Sequence, residues 1–327
     1  MRKFLVIFIV LVFIGGTFYI YNDGNNHQST KRFIENNFIN QKGEIKTYIK
    51  KEEYLTESIG LYMRFLLLTD QKEAFQQQAK KVEQISQGGF VQWKSQDGHS
   101  NASVDDLRIM RSLYEGAKEW DSEYKTIADE IKTFIKVHQI KNNLIVDFYD
   151  MKSQKASQDI RLSYIDAEAL DYFDNQIKEV HVNLLEKVKQ DVFFPEVYEI
   201  DSGNFNRQSE VNMIDQSLIA LNSNLLEIQT ESFFEFVEEE MLESGIVYGR
   251  YDRDTLESTV TYESPSVYAI LTITYIENEN LHDAQMFYDR MKELQTDDGG
   301  YKSSNSNAHF FDNVLPAIAE EKFLEHK

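Results

Sequence analysis

The chain has 327 residues, with 55 acidic and 34 basic side chains and a net charge of −21. This balance leaves no basic footprint for nucleic acid, so no nucleic-acid partner is expected. The absence of cysteine excludes thiolate metal sites and cysteine nucleophiles. The seven histidines lack zinc-binding spacing, and no phosphate-binding loop or dinucleotide fingerprint occurs. We therefore expect no metal and no cofactor.

The first 21 residues form a separate unit. Arg2 and Lys3 precede an uncharged run from Phe4 to Tyr21. Its length approaches the roughly 20 apolar residues of a membrane-spanning helix, and no small-x-small cleavage site follows it. Residues 1–21 are predicted to be an uncleaved signal anchor, with a cleaved secretion signal as the alternative. The positive charges place the N-terminus inside the cell.

The remaining chain is predicted to lie outside the cell, anchored at the membrane or secreted. Residues 22–30 are a polar spacer, and 31–327 read as one domain without an internal linker. Without Arg2 and Lys3 the charge is −23. Such a surface could attract a cationic glycan, although acidity also serves plain solubility. We expect a monomer.

The predicted elements are almost all helices, because only three prolines occur and long stretches follow a 3.6-residue period. Short extended pieces are predicted at 144–149 and 247–251. The predicted helices are 29–50, 54–69, 71–86, 103–119, 122–138, 163–175, 176–190, 207–223, 227–243, 264–277, 280–295 and 308–322.

Three helices are followed by glycine and then an aromatic loop, at 87–93, 243–251 and 297–301. Glycine and aromatic residues follow many helices, so the pattern is not specific by itself. Repeated hairpins with such loops at one end nevertheless favour an all-α toroid of helix pairs, with the loops around one mouth.

Two carboxylates at helix starts are candidates for acid–base chemistry. Glu57 begins an otherwise apolar helix, where burial would raise its pKa and make it a general acid. It could equally be a helix-start residue that complements the helix dipole. Asp106 could hold a sugar hydroxyl, or could complete a capping box with Ser103.

A third carboxylate, Asp215, borders an apolar helical stripe that includes Val211 and Leu218. An acid facing a core is uncommon without a partner, so either a salt bridge or a catalytic role would explain it.

Aromatic side chains are candidates for sugar binding, because aromatic faces stack on sugar rings. Packing in the core is the alternative role of such side chains. The candidate platforms are Trp93, Tyr164, Tyr251 and Tyr301.

At these residues the chain resembles glycoside hydrolase family 8. The segment from Thr56 to Met63 is similar to the family's general-acid stretch, with Glu57 as the acid. Val104-Asp-Asp-Leu107 resembles the family's Asp-Ala-Asp-Leu element, and Asp106 takes the sugar-binding position. Ser163-Tyr164 resembles the family's Ser-Tyr. The resemblance implies an (α/α)6 toroid with its cleft at one mouth.

The family's catalytic base is matched in chain order by Asp215, with Glu263 and Asp252 as alternatives. The resemblance implies inverting hydrolysis of a β-linked polysaccharide, endo-acting, and is nearest to anchored or secreted proteins of Gram-positive exopolysaccharide and biofilm systems. Ser58-Ile59 stands where the family has Gly-Gln, and the Arg-Val-Pro after the base is absent. A catalytically weak glycan-binding or scaffold protein is therefore the alternative.

Overall fold

The computed structural model describes residues 30–94, 98–302 and 307–327. Helices dominate this part of the chain, and one hydrophobic core runs between them. The helices are α1 (30–37), α2 (Thr56–Leu68), α3 (Lys72–Ile85), α4 (Ser103–Glu119), α5 (Tyr124–His138), α6 (Ala167–Leu170), α7 (Asn175–Glu186), α8 (Met213–Leu225), α9 (Glu231–Glu243), α10 (Pro265–Glu277), α11 (Leu281–Glu293) and α12 (Phe311–Glu325).

The sequence of each helix decides whether it lies inside or outside. Helix α10 is buried all round, from Ser266 to Ile276, as expected for a helix with little polar surface. Helix α3 buries only Phe75, Gln78, Ala79 and Val82, a single stripe at helical spacing. The even-numbered helices therefore form an inner layer, and odd-numbered ones cover it.

The inner helices close into a ring. In the order α2, α4, α6, α8, α10 and α12, each contacts the next, and α12 contacts α2. Helices α2 and α4 approach closely at Gly60, where an added Cβ would lie 2.9 Å from the Cβ of Arg108. This arrangement confirms the predicted (α/α)6 toroid.

The strands are short and lie in the loops, where they pair antiparallel. The pair β10–β11 joins distant segments and sets Val211 opposite Tyr251. The strands are β1 (Ser86–Gln87), β2 (Phe90–Val91), β3 (Ile140–Lys141), β4 (Leu144–Ile145), β5 (Tyr149–Asp150), β6 (Lys155–Ala156), β7 (Asp159–Arg161), β8 (Val197–Glu199), β9 (Asn204–Asn206), β10 (Glu210–Asn212) and β11 (Arg250–Asp252).

Three predicted helices differ clearly from the structure. The helix expected at 207–223 begins only at Met213, because residues 210–212 form strand β10. The helix expected at 29–50 ends at residue 37, because the Asn40 side chain accepts the backbone N–H groups of Lys42 and Glu44 and makes a turn. The helix expected at 163–175 is a 3-10 turn, Leu162–Tyr164, followed by α6.

The predicted signal anchor, 1–21, and residues 22–29 of the spacer lie outside the described residues. Within the described ranges, none of the helices combines the length and the apolar character needed to cross a membrane.

Candidate active site

The inner helices bring acidic side chains to one mouth of the ring. Consecutive helices of a hairpin run in opposite directions, so all inner helices begin at the same end. Five of them carry an acid at the N-cap or in the first turn, and one follows an acid two residues before it starts. These acids are Glu57, Asp105, Asp166, Asp215, Glu263 and Asp312.

Glu57 and Asp105 interact across the interface of α2 and α4. Burial and, to a smaller extent, the negative charge of Glu57 together raise the pKa of Asp105 to about 7, against the opposing effects of Arg108 and Thr56. Asp105 is only 5% exposed, whereas Glu57 is half-buried and accessible. A carboxyl beside a second negative charge is harder to ionise, so the buried Asp105 keeps its proton up to near neutral pH.

Asp106, predicted to hold a sugar, has no surface open to a ligand. It is completely buried, and the Nδ2 of Asn101 donates to its Oδ2 at 2.5 Å. Burial raises the pKa of Asp106 well above its usual value. Adjacent residues on a helix point about 100° apart, so Asp105, which the sequence reasoning missed, faces Glu57 instead.

Asp215 lies in the first turn of α8, half-buried, behind a helix start capped by Asn212. The hydroxyl of Ser163 donates to its Oδ1 at 2.7 Å. Tyr164, next to that serine, is half-buried and senses the charges of both Asp215 and Asp105, while burial raises its pKa. Tyr164 therefore lies within the electrostatic field of both carboxylates, and its role as a sugar platform stays a prediction.

The two alternative bases are committed to other contacts. Glu263 accepts two hydrogen bonds from Arg290, at 2.7 and 2.8 Å, and one from the hydroxyl of Tyr268 at 2.5 Å. Asp252 accepts the backbone N–H groups of Asp254 and Thr255 at the end of β11, which lowers its pKa. Among the three candidates, Asp215 is thus the one placed in the first turn of an inner helix.

A cavity of about 610 Å³ opens beside Asp215. Asn212 and Ile214, which come just before Asp215 in the sequence, line one side, and Glu263 and Asp312 line another. The rings of Tyr48 and His309 also line it and lie 4.6 Å apart. Its size suits a small polar ligand such as a sugar unit. The described residues contain no group of three or more His, Asp or Glu side chains that could hold a metal ion.

The predicted aromatic platforms divide into exposed and buried side chains. Trp93 is 37% exposed, and its carbonyl accepts the backbone N–H of Thr56, so it lies beside Glu57. Tyr251 is 1% exposed and donates to Glu240 at 2.5 Å, so it is a core residue instead of a platform. Tyr301 is also buried.

No protein-family model matches the sequence. The putative lipoprotein YdaJ of Bacillus subtilis (strain 168) is 35% identical over 318 residues, covering 91% of this chain and 87% of that protein. The crystal structure of PssZ from Listeria monocytogenes is 29% identical with a TM-score of 0.80, over 89% of this chain and 94% of that one.

More distant structures share the fold. A novel alpha-amylase from Clostridium perfringens is 20% identical with a TM-score of 0.83, over 91% and 97% of the two chains. Endoglucanase Cel10 from Klebsiella pneumoniae, a family 8 glycosyl hydrolase, is 13% identical with a TM-score of 0.67, over 92% and 100%.

The ring of inner helices and its acidic mouth thus define a protein with the (α/α)6 fold of glycoside hydrolase family 8. Within that class, the identity and coverage shared with the Bacillus protein show that the chain belongs to the family of YdaJ.

Proposed function

We propose that the protein hydrolyses a polysaccharide outside the cell with inversion at the anomeric carbon. Glu57 is the general acid and Asp215 the general base. The observation that carries the proposal is their placement. Each lies in the first turn of an inner helix at the same mouth, and α2 and α8 stand three positions apart in a ring of six. A glycosidic bond between them would meet one carboxyl on each side.

In the proposed step, Glu57 gives its proton to the glycosidic oxygen as the bond to the anomeric carbon breaks. A water attacks that carbon from the opposite face and loses a proton to Asp215. Inverting enzymes need about 6.5–9.5 Å between the two carboxyls to leave room for that water. The reaction leaves Glu57 ionised and Asp215 protonated, and exchange with solvent restores both.

Three neighbours support this chemistry. Asp105, buried beside Glu57, keeps a second carboxyl next to the proposed acid. Ser163 fixes the Asp215 carboxylate through its hydroxyl, so the base is oriented before substrate arrives. Trp93, exposed beside Glu57, offers a stacking face for a sugar on the leaving-group side.

We further propose that the N-terminal segment, 1–21, anchors the domain at the outer face of the membrane. The Bacillus relative is described as a lipoprotein. This chain has no cysteine that could carry a lipid, so the apolar segment itself would hold the domain at the membrane.

The substrate is tested with a panel, because the structural relatives include both an endoglucanase and an alpha-amylase. The full chain, in a detergent without a sugar headgroup, is incubated with mixed-linkage β-glucan, xylan, chitosan, soluble starch and extracted envelope polysaccharide. New reducing ends with wild type and none with Glu57→Gln are expected. A glycan that binds but releases no new reducing ends would favour the glycan-binding alternative. The replacement of the family's Gly-Gln by Ser58-Ile59 would then explain the missing activity.

A further inference from the structure

A second concavity lies on the flank of the ring, outside the mouth. It has a volume of about 500 Å³ and is formed by the loop before α2, the C-terminal half of α3 and strand β1. This is within the 300–1,000 Å³ of small-molecule sites. The proposed hydrolysis uses none of its side chains.

The polar lining of this pocket is mostly amides. Gln78, Gln84, Gln87 and Gln92 contribute to its wall. Gln84 and Gln87 are exposed, and neither side chain has a hydrogen-bond partner among the described residues. An amide both donates and accepts, which suits the hydroxyl groups of a sugar.

Two polar atoms at this pocket are buried without partners, the Oε1 of Gln78 and the Oγ of Ser86. Gln78 is only 2% exposed, and its Nε2 already donates to the carbonyl of Gly43 at 3.0 Å. Leaving a buried acceptor unsatisfied costs about 1–3 kcal/mol. A ligand hydroxyl that reached these atoms would supply the missing hydrogen bond.

The charged groups of the pocket neutralise each other. The ammonium of Lys81 lies 2.8 Å from the carboxylate of Glu44, and this contact lowers the pKa of Glu44. An ionic ligand would have to break that pair. The apolar part of the lining comes from Ile45, Ile59 and Ile85, against which the carbon face of a sugar ring can pack.

The pocket adjoins the mouth. Leu55 and Thr56 line it and directly precede Glu57. Gln92 lines it and directly precedes Trp93, whose carbonyl accepts the N–H of Thr56 at 3.1 Å. A glycan stacked on Trp93 would therefore extend toward the amide-lined pocket.

We propose that this pocket binds one or two uncharged sugar rings of the polysaccharide, as an outlying subsite beyond Trp93. The inference rests on the proposed function for the identity of the ligand, but its binding is measurable without hydrolysis. Neutral sugars fit because the amides of Gln84 and Gln87 can hydrogen-bond a ligand and the isoleucines give an apolar floor, whereas Lys81 and Glu44 are already paired with each other.

Binding is tested on the full chain carrying Glu57→Gln, so that no probe is consumed. Cellohexaose and maltohexaose are titrated by calorimetry, with hexagalacturonate as the anionic probe. We expect one of the neutral probes to bind, no measurable binding of hexagalacturonate, and slower amide exchange over 78–92. The pair Gln84→Ala/Gln87→Ala should weaken binding at least fivefold. Gln76→Ala, an exposed glutamine of the same helix outside the pocket, should leave it unchanged.

Equal affinities for the two variants, protection confined to the mouth, or no binding of either neutral probe would overturn the subsite. Reducing-end release by wild type is measured in parallel. Release that is unaffected in Gln84→Ala/Gln87→Ala, with unchanged affinity, defeats the subsite and keeps the hydrolase. Binding that depends on these glutamines, with no release from any glycan, keeps the subsite and defeats the hydrolase.

Discussion

The buried carboxyl of Asp105 lies within the electrostatic field of the Glu57 carboxylate, near the tight contact of α2 and α4 at Gly60. This relationship ties a proposed catalytic acid to a neighbour whose charge state changes near neutral pH. It also links the chemistry of the mouth to helix packing at Gly60, one turn below Glu57.

The pH dependence of stability should report the protonation of Asp105. Its pKa is about 7 in the folded protein and about 3.9 in an unfolded chain. The folded state therefore binds more protons between these values, and this contribution to stability is lost as pH rises from about 4 through 7. Asp105→Asn mimics the protonated form, so its stability relative to wild type should rise over that window, on the order of 2 kcal/mol.

The measurement is chemical denaturation of both proteins at pH 5, 6, 7 and 8. Asp147, whose pKa burial raises to about 6, titrates in both proteins and cancels in the difference. A difference that is flat with pH would show that Asp105 does not hold a proton in the folded state.

If Asp215 is the catalytic base, substitution of Asp215 should abolish most of the activity and substitution of Asp252 should not. Asp215→Asn should lower kcat by a factor of about 10²–10⁴, because the amide cannot accept the proton of the attacking water. Asp252→Asn should retain activity, since asparagine preserves the turn that Asp252 caps. Steady-state kinetics on the identified glycan provides the comparison, and a loss confined to Asp252→Asn would reassign the base.

Trp93 and Tyr251 were both predicted to be sugar platforms, but the first is exposed and the second is buried in the core. Substitutions of the two should therefore have opposite effects on binding and stability. Trp93→Ala should weaken glycan binding by about tenfold through lost stacking and leave the unfolding midpoint close to wild type. Tyr251→Phe should lower stability by about 1–2 kcal/mol through the lost bond to Glu240 and leave binding unchanged. Thermal unfolding and calorimetric titration of both variants test this, and weakened binding by Tyr251→Phe would contradict its core assignment.

The ion pair of Glu263 is expected to be structural. Glu263→Gln should destabilise the fold by about 1–2 kcal/mol, because Arg290, which is half-buried, keeps its charge without this partner. Glu293→Gln, which removes the exposed partner of the same arginine, should cost less than about 1 kcal/mol. Activity within a few-fold of wild type in Glu263→Gln is the expected kinetic result, and its complete loss would revive Glu263 as the base.

The sequence predicts a helix correctly where it contains both polar residues at the helix start and an apolar period along the helix. The helix Ser103–Glu119 matches its prediction, because polar residues start it and an apolar period runs through it. The side-chain turn at Asn40 was invisible to periodicity. The sequence also could not decide whether Asp105 or Asp106 lies beside Glu57. Adjacent residues of a helix point about 100° apart, and only the packed structure shows how the helix is rotated about its axis. Tyr251 is buried by pairing with Val211, forty residues away, which no local pattern reveals.

The common start of the inner helices has an electrostatic consequence for the mouth. Each helix places the positive end of its macrodipole there, equivalent to about half a unit charge. Several such ends converge on one opening and offset part of the repulsion among its carboxylates. Together with Arg108, Arg111 and Arg290, which lie beside Asp105, Asp166 and Glu263, these helix ends let the mouth keep a dense set of acids.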